Sequence, residues 1–157
     1  MRESYVTNLY LENYNIPFLV YNSGLASRKI ERYTCSKDIP ATLCKIAYGE
    51  VPEEFKGHAV IDDYVYENGF IEYCGGGCPD LRRRQLKIAA FDEKWFVGTL
   101  CFLDETFDAS KVTEIYNLEK DPLQRKNLRL EECCNEHVDH LINCIYGRIV
   151  RLKSDNS

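Results

Sequence analysis

The chain has 157 residues, a length that fits one domain with a buried core. Its apolar share of 45% and charged share of 29% are ordinary for a globular protein and exclude a disordered chain. A formal net charge of −5 argues against nucleic acid or an anionic membrane as the main partner.

The first two predicted elements are a strand at residues 16–21 and a helix at residues 38–48. The strand is the continuous apolar run IPFLVY, which is typical of a strand buried inside a sheet. The helix contains apolar residues at helical spacing. Ser36 or Asp38 is its candidate N-cap, and Pro40 falls in the first turn, where a missing N–H does no harm.

Four further strands are predicted, near residues 69–74, 86–91, 94–103 and 113–117. Asp92-Glu93 leaves room only for a tight turn between the second and third of them, so these two form an antiparallel hairpin. The last strand cannot continue through Asp121-Pro122, because proline fixes its own φ and restricts the residue before it.

The last predicted element is a long helix over residues 131–152, where apolar residues recur at three- and four-residue steps. Glu131 and Glu132 suit the positive end of its dipole, and basic residues suit the other end. The predicted fold is therefore α+β. A small antiparallel sheet of three to four strands packs against the long C-terminal helix, and the strand and helix of residues 16–48 precede it.

The stretch TEIYNLEKDPLQRKNL, residues 113–128, is similar to "ELYDLEKDPxExxNL", a signature near the C-terminus of sulfatases in the alkaline-phosphatase superfamily. Three earlier blocks resemble sulfatase segments in the same order. Residues 9–24 are similar to "LYEExxRVPLIIxxPG", residues 38–49 to "DIxPTLLDLAG", and residues 51–60 to "VPxxxxGxSL". From about Leu9 to Leu128 the chain thus resembles the C-terminal part of a sulfatase.

This resemblance implies two regions. Residues 1–60 would form the C-terminal edge of the sulfatase α/β domain, and residues 61–157 the small C-terminal subdomain. The intact protein would hydrolyse an anionic sulfate or phosphate ester with a divalent cation, Ca²⁺ or Mg²⁺/Mn²⁺. The family's nucleophile and metal ligands are not found in the chain, so no catalytic or metal-binding residue is assigned. The chain alone is expected to be inactive and to need an N-terminal catalytic part as its partner.

The candidate substrate contacts lie in residues 75–84. Three glycines precede Cys78, and three arginines follow it. Arginine binds sulfate or phosphate oxygens with a two-pronged fork, and a similar stretch lies near the pocket mouth in some sulfatase-like proteins. Cys78, Arg82, Arg83 and Arg84 are therefore predicted to contact the substrate in the intact protein. The alternative is a solvated charged loop.

The eight cysteines lack the regular spacing of a disulfide framework and are interpreted as reduced thiols. Residues 1–15 lack the apolar core of a signal peptide, and no apolar run approaches the ~20 residues of a membrane span. These features favour the cytoplasm and no contact with membranes. A zinc site is the alternative use of the thiols, with candidate ligands Cys74, Cys78, Cys133, Cys134, His137 and His140.

The rival hypothesis is a stand-alone, non-catalytic domain that binds an anion or a partner. A strand at residues 16–21 would then lack a neighbour, and a homodimer formed by edge pairing would supply one. His58 is a tempting catalytic base, but it has no titratable partner nearby in sequence and is interpreted as a surface loop residue.

Overall fold

The computed structural model describes residues 9–21, 24–74, 85–133 and 135–154. The chain forms two compact units. One comprises residues 1–16 and 70–157 and is called the sheet unit here; the other comprises residues 17–69 and is called the α1 unit.

The sheet unit contains four strands that lie side by side in chain order. They are β1 (Gly69–Cys74), β2 (Gln85–Phe91), β3 (Trp95–Phe102) and β4 (Val112–Asn117). The antiparallel register pairs Phe91 with Phe96 and Trp95 with Asn117, and it shifts between Gly98 and Thr99 in β3. The predicted antiparallel sheet and its hairpin are confirmed.

A long helix, α2 (Glu136–Ser154), covers one face of this sheet. Its buried side chains recur every three or four residues and pack against alternate residues of the strands, which is the pattern of an amphipathic helix on a half-buried sheet. The buried residues of this core are Leu86, Ile88, Ala90, Val97, Cys101, Phe107, Ile115, Cys133, Val138, Leu141, Ile142, Ile145 and Ile149. The predicted α+β class is confirmed.

Helix α2 begins five residues later than predicted, and Asn135 explains the difference. The side-chain oxygen of Asn135 accepts the His137 N–H at 2.8 Å, and its backbone oxygen accepts the Asp139 N–H at 3.1 Å. These are the contacts of an N-cap. Glu131 and Glu132, which the prediction placed in the helix, lie in a separate 3₁₀ turn, Leu130–Glu132.

The turn between β2 and β3 is fixed by Asp92. One carboxylate oxygen accepts the N–H groups of Lys94 at 2.7 Å and Trp95 at 2.6 Å, and the other lies 2.8 Å from His137 Nδ1 at the start of α2. Burial alone would raise the pKa of Asp92, but these hydrogen bonds outweigh it and hold that pKa below its usual value. The predicted tight turn therefore also anchors α2.

The second face of the sheet is covered by the segment that begins at Leu9. Leu9 packs on Phe96 and Tyr116, and a Cβ at Gly98 would lie 3.2 Å from the Leu9 side chain, so glycine allows this close approach. The side-chain oxygen of buried Gln124 accepts the Leu11 N–H at 2.6 Å. The start of the described chain is thereby tied to the turn after β4.

Helix α1 (Asp38–Tyr48) of the α1 unit has the predicted bounds. Gly49 ends it at φ 84°, a conformation that glycine adopts without strain, and donates its N–H to the Lys45 oxygen. The N-cap prediction is wrong. Lys37 holds that position without a side-chain cap, and the carboxylate of Asp38 bonds elsewhere because it is inside the first turn.

The strand predicted at residues 16–21 is not formed. Leu19 is 90% exposed and Tyr21 is 96% exposed. A strand of this composition needs a neighbour on each edge, and none of the strands in the described ranges pairs with it. None of the helices described has both the length and the apolar composition that crossing a membrane requires.

Candidate functional site

The four residues predicted to contact substrate, Cys78, Arg82, Arg83 and Arg84, lie outside the described residues, as do Cys134 and the side chain of Cys74. Of the other proposed zinc ligands, Cys133 is buried in the core, and His137 bonds Asp92. His140 lies beside Cys144. In the part of the chain that the structure describes, no group of three or more His, Cys, Asp or Glu residues is arranged to hold a metal ion.

A buried polar site surrounds Asp38 in the α1 unit. Asp38 is 2% exposed, and its carboxylate accepts three hydrogen bonds. The donors are the Cys35 N–H at 2.8 Å, the His58 N–H at 2.9 Å and the Tyr66 hydroxyl at 2.6 Å. A buried carboxylate is tolerated only when such donors satisfy it. We call these residues the Asp38 hub.

The Asp38 hub continues into α1 through Thr42. The hydroxyl of Thr42 donates to the Asp38 backbone oxygen at 2.6 Å and accepts the Val60 N–H at 2.9 Å. Gly57 lies against the same turn, where a Cβ would be only 2.0 Å from the Lys37 oxygen. The residues after the helix are thereby held directly against its first turn.

Two aromatic residues of the Asp38 hub, His58 and Tyr66, pack against a third ring, Tyr64. His58 stacks on Tyr64 with ring centroids 3.5 Å apart, and both lie at steep angles to Tyr66. The amino group of Lys37 lies 5.1 Å from the Tyr66 centroid. Burial, followed by the hydrogen bond to Asp38, raises the pKa of Tyr66 far above its ordinary value, so its hydroxyl remains a donor. The Tyr66 hydroxyl therefore serves as a hydrogen-bond donor that satisfies the buried Asp38 carboxylate.

The residues of the 113–128 motif are also structural. The side-chain oxygen of Asn117 accepts the Lys120 N–H at 2.9 Å, and the carboxylate of Asp121 accepts the Lys126 N–H at 2.7 Å. Hydrogen bonds from the backbone, led by that of Lys126, lower the pKa of Asp121. These two side chains shape the turn that follows β4.

The side chain of Asn127 forms hydrogen bonds with the backbone of β4, as a neighbouring strand would. Its side-chain oxygen accepts the Ile115 N–H at 2.9 Å, its side-chain nitrogen donates to the Thr113 oxygen at 2.8 Å, and the Leu128 N–H donates to the Ile115 oxygen at 2.9 Å. Backbone groups at the outer edge of β4 are thereby paired. The conspicuous polar residues of the motif, Asn117, Asp121 and Asn127, thus stabilise the edge of β4 and the turn that follows it.

Asn127→Ala is expected to destabilise the sheet unit by about 2 kcal/mol, because the Ile115 N–H loses its acceptor while buried. Fluorescence of Trp95, the chain's single tryptophan, follows this unit during denaturant unfolding, since Trp95 pairs with Asn117 of β4. Asn127→Asp keeps the acceptor and should cost less. An Asn127→Ala midpoint equal to that of the unchanged chain would contradict the assignment.

The described fold is an antiparallel sheet in chain order with a C-terminal helix on one face. The crystal structure of a putative sulfatase from Bacteroides thetaiotaomicron VPI-5482 is similar to it, with a TM-score of 0.51 and 17% sequence identity. The likeness covers 73% of this chain and 24% of that chain. At such an identity it shows the fold alone. No protein-family model matches the chain, and no curated protein matches it.

The sequence did not single out the Asp38 hub as a site. Asp38 was interpreted only as a candidate N-cap, and His58 as a surface loop residue. The His58 ring is indeed exposed, but its backbone N–H is one of the three donors to Asp38. A signal was present in the tyrosines near His58, since a buried carboxylate needs donors of this kind.

Proposed function

We propose that the chain is the C-terminal part of a sulfatase-like hydrolase, which cleaves a sulfate or phosphate ester in its intact form. The observation that carries the proposal is the fold likeness over 73% of this chain, which extends over only 24% of the similar chain. The 113–128 motif supports it independently, because its wording resembles that of sulfatases and its residues build the edge of β4.

The α1 unit supports the same proposal because it has almost no core of its own. Among its described residues, the buried apolar side chains are Ala41, Ala59 and Val60. Large apolar side chains are exposed instead, at Leu19, Val20, Tyr21, Leu25, Ile39, Leu43, Tyr48, Phe55, Tyr64 and Val65. Apolar surface of this extent is typical of a face that another domain covers. In the intact protein, the larger α/β domain of the hydrolase would cover this apolar surface.

In this proposal the residues of the chain hold the ester substrate in place and take no part in the bond-breaking step. The sheet unit supports the site, and Cys78, Arg82, Arg83 and Arg84 contact the anionic ester from the segment between β1 and β2. The divalent cation, Ca²⁺ or Mg²⁺/Mn²⁺, and the nucleophile belong to the N-terminal catalytic part. The cation would supply electrostatic stabilisation of the charge on the ester oxygens.

Two measurements test the proposal. An antibody raised against the chain should detect a native protein far larger than 157 residues in the source cells. The isolated chain should not turn over aryl sulfate or aryl phosphate with Ca²⁺, Mg²⁺ or Mn²⁺ present. A native band of only this length, or turnover by the isolated chain, would overturn it.

The alternative is a stand-alone binding domain that dimerises, and the exposure of Leu19 and Tyr21 favours it over an isolated monomer. A native band of 157 residues together with a dimer in sedimentation would support that function. Leu19→Asp should then dissociate the dimer. Leu123→Asp, which changes an exposed leucine of the sheet unit, should leave it intact.

A further inference from the structure

A cysteine and a histidine lie one turn apart on α2, away from the Asp38 hub. The Sγ atom of Cys144 is 3.5 Å from Nε2 of His140, within hydrogen-bonding distance for sulfur. We propose that Cys144 is a site of reversible thiol modification by low-molecular-weight disulfides and that His140 is the base that activates it. Neither residue takes part in the proposed ester hydrolysis.

Cys144 packs partly against the core and is partly accessible to solvent. The side chain packs partly against the core beneath α2, yet it is only half-buried, and His140 is exposed. A thiol in this position is packed on one side and retains part of its surface in contact with solvent. Cys101 and Cys133, by contrast, are buried in the core, where structural cysteines are inert.

Arg148 lies one helical turn beyond Cys144, on the opposite side from His140. Its guanidinium is held in place by a two-pronged pair with Glu72 of β1, in which Nη2 lies 3.0 Å from Oε2 and Nε contacts Oε1. The Glu72 carboxylate balances the charge of this guanidinium, so the basic neighbour in contact with the thiol is His140. A base in contact with a thiol favours the thiolate, the nucleophilic form of cysteine.

The chemical step is a thiol–disulfide exchange. His140 Nε2 accepts the thiol proton, and Sγ of Cys144 attacks one sulfur of a disulfide such as oxidised glutathione. The new S–S bond forms as the old one breaks, and the departing thiolate keeps the electron pair and regains the proton from the imidazolium. A second free thiol reverses the modification, so no other oxidant is required.

The experiment uses the full chain under native conditions, with oxidised glutathione as the probe and peptide mass spectrometry to assign the adducts. Cys44 is the matched control. It is a half-buried cysteine on α1 that has no histidine partner among the residues described. We expect Cys144 to react about tenfold faster than Cys44, a factor below the usual range for acid–base catalysis because the contact is long and exposed.

His140→Gln should remove this advantage while circular dichroism remains unchanged, and Cys144→Ser should abolish the first adduct. In denaturant the two cysteines should react at equal rates. The proposal is overturned if native Cys144 reacts no faster than Cys44, or if His140→Gln reacts as fast as the unchanged chain. Neither outcome bears on the native size of the protein, so this test is independent of the proposed hydrolase function.

Discussion

Asp38→Ala is expected to cost the α1 unit about 4 kcal/mol of stability. The substitution removes one carboxylate and leaves the Cys35 N–H, the His58 N–H and the Tyr66 hydroxyl without their acceptor. Each donor left unsatisfied while buried costs about 1–3 kcal/mol, and relaxation towards water recovers part of the total. Hydrogen exchange of the His58 amide measures the effect directly, because this amide is protected through Asp38.

Asp62→Ala is the control for the Asp38 substitution. Asp62 belongs to the same unit, but its carboxylate is half-exposed, and its ion pair among the described residues is with Lys45 at 3.9 Å. Surface pairs of this kind contribute about 0–1 kcal/mol. If Asp38→Ala and Asp62→Ala accelerated exchange at His58 equally, the central role of Asp38 would be wrong.

Gly57→Ala is expected to destabilise the same unit by about 3 kcal/mol, the upper range for overpacking. The added Cβ would lie 2.0 Å from the Lys37 oxygen, 2.5 Å from its carbonyl carbon and 2.9 Å from the Asp38 nitrogen. All three are backbone atoms, so no side chain can rotate away. The backbone must move instead, and this movement breaks the hydrogen bond between the His58 N–H and Asp38. Faster exchange of the α1 amides is the expected readout.

Gly49→Ala separates this clash from a general effect of adding a methyl group. Gly49 has open space around its Cα, so alanine there meets no atom within 4 Å. It carries only the strain of a positive φ, which costs about 1 kcal/mol. Equal exchange rates in the two variants would show that the contact between Gly57 and Lys37 is not limiting.

Elements with a strong internal pattern were predictable from the sequence. The β2–β3 hairpin follows from two apolar runs around Asp92-Glu93, and α1 follows from its apolar spacing with Gly49 behind it. The start of α2 was missed because Asn135 caps the helix more effectively than the acidic pair before it. Residues 16–21 were predicted to form a strand because their apolar composition is typical of buried strands. A strand also needs neighbouring strands to pair with, and composition does not specify them.

The candidate site was less predictable for a related reason. Asp38 is bonded to His58, 20 residues away, and to Tyr66, 28 residues away, so local capping rules could not find either contact. The 113–128 motif was found through its resemblance to a sulfatase signature, and its side chains bond within 14 residues of sequence. The prediction that Cys78, Arg82, Arg83 and Arg84 contact substrate remains a prediction, since these residues lie outside the described ranges.

The order of the sheet has a consequence for how the protein folds. Because β1 to β4 lie side by side in chain order, each strand pairs with its neighbour in sequence, and only short loops must close. Folding is fast when contacts are local, so the β2–β3 hairpin is the natural place for it to begin. The contact between Leu11 and Gln124 spans 113 residues and forms late. During synthesis the sheet can therefore assemble strand by strand, and α2, which leaves the ribosome after all four strands, closes the core.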